Sequence, residues 1–211
     1  MTLQLPAAAL ALAAGSAWAA ESPVSAASAQ AAFSQGVTLG QKTNQAYPLA
    51  PNAVYHTADT LRLEAANGDV DAVVIGTPWE RIRYQGYLAT IGGEKISVAE
   101  ARTRARLPDG SVAVLIFAHG ARPDDQEFIS GFRGVSLKLA GRTVLPTESR
   151  RSGTSSSQYP DTLGEIGIRF TGTVTYIFKL APAQLKGSGT LHFTDPSGKV
   201  FNLPVNLALY R

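Results

Sequence analysis

The spacing of hydrophobic positions changes along the chain, and each change marks a different kind of element. Ala7 to Ala14 is an unbroken apolar run. From Glu21 to Pro51, apolar residues such as Phe33, Val37, Leu39, Tyr47 and Leu49 are scattered among Ala, Ser, Gln and Asn without a period. That pattern predicts a flexible N-terminal arm over residues 21–51. Val54–Ala65 and Val70–Ile75 then flank Asn67-Gly68, a pair suited to a hairpin turn because both central residues of a type I′ turn need positive φ. Val73-Val74-Ile75 is β-branched without interruption, as in a strand buried on both faces.

The period then lengthens. Thr77-Pro78-Trp79-Glu80 combines an N-cap residue, a proline at the first helical position and a glutamate three residues after the cap. It predicts a helix with Trp79, Ile82, Tyr87, Leu88 and Ile91 toward one side, weakened at Gly86 and ended by Gly92-Gly93. Ser97-Val98-Ala99-Glu100 repeats the capping pattern and predicts a short helix as far as Arg106, with a strand over 96–107 as the competing pattern. Val112–Ala118 has the character of a buried strand. Asp124 to Glu127, ahead of Phe128, Ile129 and Phe132, predicts a helix of one or two turns with acids at its positive end.

From Gly134 onward the alternation is that of β-structure. Val135, Leu137 and Leu139 share one face, as do Val174, Tyr176, Phe178 and Leu180, then Leu191 and Phe193, then Phe201, Leu203, Val205, Leu207 and Leu209. Ser149 to Asp161 is expected to be a Ser-rich loop, and Pro204 marks an edge strand or a bulge. The sum is an α+β fold, mainly β: an immunoglobulin-like antiparallel β-sandwich with short inserted helices. It occupies a globular domain over 52–211, with residues 134–211 as a C-terminal sandwich portion. An eight-stranded membrane barrel fits the length, but the helix-capping patterns and Pro204 count against it.

Composition narrows the class. The chain has 211 residues, 45% hydrophobic and 17% charged, a balance that supports a packed core and opposes disorder. A net charge of +3 is too small a field to imply a nucleic-acid partner. The absence of cysteine excludes disulfides, thiolate metal sites and cysteine nucleophiles. The run Ala7–Ala14 is too short to span a bilayer, and Ala17-Trp18-Ala19-Ala20 follows it as a cleavage pattern. Residues 1–20 therefore have the form of a signal peptide, although Met1 to Gln4 lack the usual Lys or Arg. Export without cysteine points to a bacterial envelope, periplasmic or at the cell surface, with membrane association only through a partner.

Candidate chemistry is sparse. The three histidines, His56, His119 and His192, show no metal-ligand spacing, and neither a G-x-S-x-G elbow nor a phosphate-binding glycine loop occurs. No metal or cofactor is expected. His119 at a strand end, with Asp124 or Asp125 close behind, is the candidate acid/base pair of an envelope-directed hydrolase. Arg81, Arg83, Arg102, Arg104 and Arg106, interleaved with Trp79 and Tyr87, form a candidate surface for an anionic polymer or glycan. A solvated helix face with its aromatics turned inward explains the same pattern. Arg150-Arg151 offer a second recognition point in the Ser-rich segment. With no catalytic constellation complete, the expectation is a non-enzymatic binding or structural accessory module acting on an envelope protein or glycan.

Overall fold

The computed structural model describes residues 23–42, 46–57, 68–160 and 166–210. The expected signal peptide and Asn67 of the expected hairpin turn lie outside the described residues. Three helices are described: α1 (Ala26–Gly40), α2 (Pro78–Ile91) and α3 (Val98–Ala105). The strands are β1 (Ala53–His56), β2 (Val70–Gly76), β3 (Ser111–His119), β4 (Arg133–Leu139) and β5 (Arg142–Val144). They continue with β6 (Glu148–Arg151), β7 (Ser155–Pro160), β8 (Ile166–Lys179), β9 (Ser188–Thr194) and β10 (Val200–Asn206).

Among the described strands all pairings are antiparallel, and they make two sheets. The larger runs β1-β2-β3-β8, with β6 and β7 both on the far side of β8; the smaller runs β10-β9-β4-β5. One hydrophobic core joins them, drawing Val73, Ile75, Val112, Val114 and Ile116 from the larger sheet and Leu137, Leu139, Leu191 and Phe193 from the smaller. Phe193 and Phe201 stack within it at 4.7 Å between centroids. The fold is thus α+β and mainly antiparallel β, as the alternation predicts. The portion from Gly134 onward shares its core with the preceding half, since residues 171–179 of β8 pair with β3 and one cluster draws on both sheets. Pro204 does lie on an edge strand, opposite Thr190.

The larger sheet is apolar on both faces. Val73 and Ile75 turn inward to the shared core, while Val74, Leu115 and Phe117 face the opposite side, where the helices lie. Both capping patterns are realised. The Thr77 hydroxyl accepts from the Glu80 amide, and Ser97 and Glu100 form a reciprocal capping box. Residues 96–107 accordingly contain a helix and no strand.

Several segments depart from expectation. The supposed arm contains α1, which is packed across α2. Gly36 and Gly86 permit that crossing: a Cβ on Gly36 would stand 1.9 Å from the Arg83 carbonyl oxygen, and one on Gly86 2.5 Å from that of Phe33. The Ser-rich segment is an edge of the larger sheet, β6 and β7 being two pieces of one course along β8 interrupted at residues 152–154. The helix expected after Asp124 shrinks to a single 3-10 turn, Phe128–Ser130. The last strand stops at Asn206, whose side chain caps a 3-10 turn at Leu207–Leu209, so Leu209 points outward.

Candidate functional site

α2 stands off the outer face of the larger sheet and leaves a cleft of about 550 Å³, within the range of small-molecule sites. Its floor is the outward face of β2, β3 and β8: Val74, Leu115, Phe117, Thr173 and Thr175. Its wall is the face of α2 that carries Arg81, Tyr84, Tyr87, Leu88 and Ile91, with Tyr47 closing one side. The mouth is apolar too, since Leu49 and Ile91 are 38% and 56% exposed.

Tyr47, Tyr84 and Tyr87 pack against one another, with Tyr47 meeting the other two edge-on at 4.8 and 5.1 Å. The Tyr47 hydroxyl donates to Glu80 Oε1, while Glu80 Oε2 accepts from the Arg83 guanidinium at 3.0 Å. Burial, followed by the neighbouring Glu80 carboxylate, holds the Tyr47 phenol well above the ordinary tyrosine range. Tyr47 is therefore a neutral donor, committed to the helix.

A second cavity, of about 360 Å³, adjoins the first and shares Arg81 and Thr175 with it. Arg104, Arg106 and Arg150 also line it. Among the described residues two carboxylates are ion-paired with these four guanidiniums: Glu94 holds Arg104 at 2.6 Å, and Glu148 holds Arg150 at 2.5 Å. Arg150 also donates to the Arg106 carbonyl at 2.7 Å, which fixes the left-handed C-cap of α3, where Arg106 has φ of 50°. Among the described residues, neither Arg81 nor Arg106 has a carboxylate at ion-pair distance. The Arg81 guanidinium lies 5.1 Å from the Tyr84 ring centroid, and burial pulls its pKa downward.

The structure sorts the candidate binding residues into those that converge and those that do not. Arg81, Arg104, Arg106 and Arg150 meet at the second cavity, and Tyr87 lines the first. Arg83 is held by Glu80 and lies over the rings of Tyr47 and Trp79, so it serves the helix packing. Trp79 is buried with Ile82, Ala29 and Ala32 in the cluster beneath α1 and lines neither of these two cavities. Arg102 is engaged by Asp109 and by the Val24 carbonyl. Arg151 alternates with Arg150 along β6 and so takes the opposite face of the sheet.

His119 does not meet its expected partners. Its Nδ1 lies 2.8 Å from Asp71 Oδ1, and Tyr159 donates to Asp71 Oδ2 at 2.9 Å. Asp124 makes an exposed pair with Arg122, while the Asp125 backbone packs on Gly120 and its charge acts on Asp69. β2–β3 pairing brings Asp71 alongside His119. All three members of the His119–Asp71–Tyr159 chain are buried, which suits a structural polar network fixing the end of the sheet.

Sequence reasoning missed Tyr47, Asp71 and Tyr159. An aspartate inside a buried apolar strand was the available signal for the last two, since it demands hydrogen-bond partners. Tyr47 carried no such mark, because its role depends on where residues 46–49 pass α2.

Among the described residues no helix is long and apolar enough to cross a membrane. The chain matches no protein family, no curated protein and no solved structure. The class defined by fold and site is a two-sheet α+β protein with a helix-covered cleft.

Proposed function

We propose that this protein is an exported, non-enzymatic binding module of a bacterial envelope, which holds an anionic ligand at the junction of the two cavities. The observation that carries the reading is the convergence of Arg81, Arg104, Arg106 and Arg150 on one cavity where, among the described residues, only Glu94 and Glu148 stand at ion-pair distance. Guanidinium groups left with unfilled donors suit carboxylate, sulfate or phosphate oxygens. Export rests on the Ala7–Ala14 run and the Ala17–Ala20 pattern. The stacking of two antiparallel sheets supports grouping the protein, by layout, with immunoglobulin-like sandwich modules.

The test is retention on immobilised heparin, used as a polyanion probe, at low and at high salt. Retention that falls with salt, and falls further in the Arg104→Gln/Arg106→Gln double variant, is the expected result. Passage straight through the column at low salt would overturn the anion reading. Export is tested separately by the N-terminal sequence of the protein recovered from cells: a chain beginning at Ala20 or Glu21 supports it, and an intact Met1 removes it.

A further inference from the structure

The two cavities differ in chemistry and meet at two residues. The cleft under α2 is lined by aliphatic and aromatic side chains over most of its surface, including Leu88, Leu115 and Phe117, and opens between Leu49 and Ile91. The adjoining cavity is lined by arginines. Arg81 and Thr175 line both. A purely polar anion fills only the second space and leaves the apolar cleft to water. A purely apolar ligand leaves Arg81 partly buried with no carboxylate at ion-pair distance among the described residues. One molecule satisfies both when an apolar chain and an anionic head are joined end to end.

We infer that the ligand is a fatty acid, its acyl chain lying in the cleft beneath α2 and its carboxylate on Arg81 at the mouth of the arginine cavity. The inference rests on the anion-binding reading above and extends it. A carboxylate matches the planar fork of a guanidinium, and Arg106, which lines the same cavity, has no carboxylate at ion-pair distance among the described residues. Binding involves no covalent step. The Tyr47–Glu80–Arg83 network ties the segment at Tyr47 to α2, which sets Tyr47 as one side of the cleft.

Calorimetric titration of the purified protein with octanoate, decanoate and dodecanoate, each below its micelle concentration, tests this. Each added methylene buried in the cleft is expected to tighten binding about fourfold per CH₂. Decanol, with the same tail and no charge, is expected to bind at least about tenfold more weakly than decanoate, as is decanoate to Arg81→Gln, for loss of the charge-assisted bonds. Leu88→Gln, on the partly exposed face of α2, is expected to flatten the chain-length dependence. Decanol binding as tightly as decanoate would overturn the assignment of the head group. No heat with any acid, alongside salt-sensitive heparin retention, would overturn the fatty-acid inference and leave anion binding standing. If both experiments are negative, both readings fall.

Discussion

Asp69 is the residue at which solution conditions act most directly on the fold. It is buried between the turn after Gly68 and the β9–β10 turn, its amide donating to Asp195 Oδ2 at 2.9 Å. Burial, then the Asp195 and Asp125 charges, raise its pKa from 3.8 to about 6 against the opposing pull of His119. A carboxyl that keeps its proton longer in the folded chain than in the unfolded one contributes stability below the unfolded pKa, and that contribution is lost as pH rises through the folded value. Stability is therefore expected to fall by about 1–2 kcal/mol from about pH 4 to about pH 7 on this account, after allowance for partial hydration. Asp69→Asn keeps an acceptor and removes the charge, so urea midpoints across that range should lose this component of the slope. An unchanged slope would assign the effect elsewhere. Sequence could place Asp69 in a turn, but not beside Asp195, 126 residues on. The same holds for His119, where the nearer aspartates in sequence proved the wrong ones.

At the scale of elements, what was legible followed from local chemistry. The caps at Thr77 and Ser97 and the alternation in β4, β8 and β9 need no distant partner to be read, and each produced the expected element. α1 was illegible for a physical reason: its contact face is Ala29, Ala32 and Gly36, so the helix buries small residues and leaves no hydrophobic stripe. β6 and β7 were missed because edge strands facing solvent can be polar, and Arg150-Arg151 and Ser155–Ser157 carry no period. Gly86, a weak point by propensity, is where α2 must lack a Cβ to admit α1. Gly36→Ala decides between propensity and packing. In an exposed helix it would stabilise by roughly 1 kcal/mol. Here the added methyl meets the Arg83 carbonyl, and a loss of about 1–3 kcal/mol is expected from the forced separation of the helices. A urea midpoint equal to or above that of the parent would show that α1 does not dock as closely as described.

The described residues hold two hydrophobic clusters of unequal strength, one between the sheets and one among the helices, and the cleft lies between α2 and the larger sheet. The core between the sheets contains Phe178, Phe193, Ile75, Leu137 and Leu191, all essentially inaccessible. The helical cluster is anchored by Trp79 and Ile82; its other buried members are Val24 and alanines 29, 32, 101 and 105, with Phe33, Ile96 and Val98 only partly buried against it. Small side chains remove little apolar area from water, so the helical layer is the less stable unit. The two tryptophans are Trp18 and Trp79. In a Trp18→Phe background, Trp79 fluorescence reports the helical layer, while hydrogen-exchange protection of the β3 and β8 amides supplies the β-signal. On urea titration the fluorescence change is expected at lower denaturant than the loss of β-signal. Coincident curves would instead mean that α2 is coupled to the sheet as tightly as the sheets are to each other. A ligand seated between α2 and the sheet binds only while both layers are in place, so it must raise the first transition by mass action and leave the second nearly unmoved. If dodecanoate shifted the second transition while leaving the first unchanged, its site would have to be sought in the core between the sheets and not under α2.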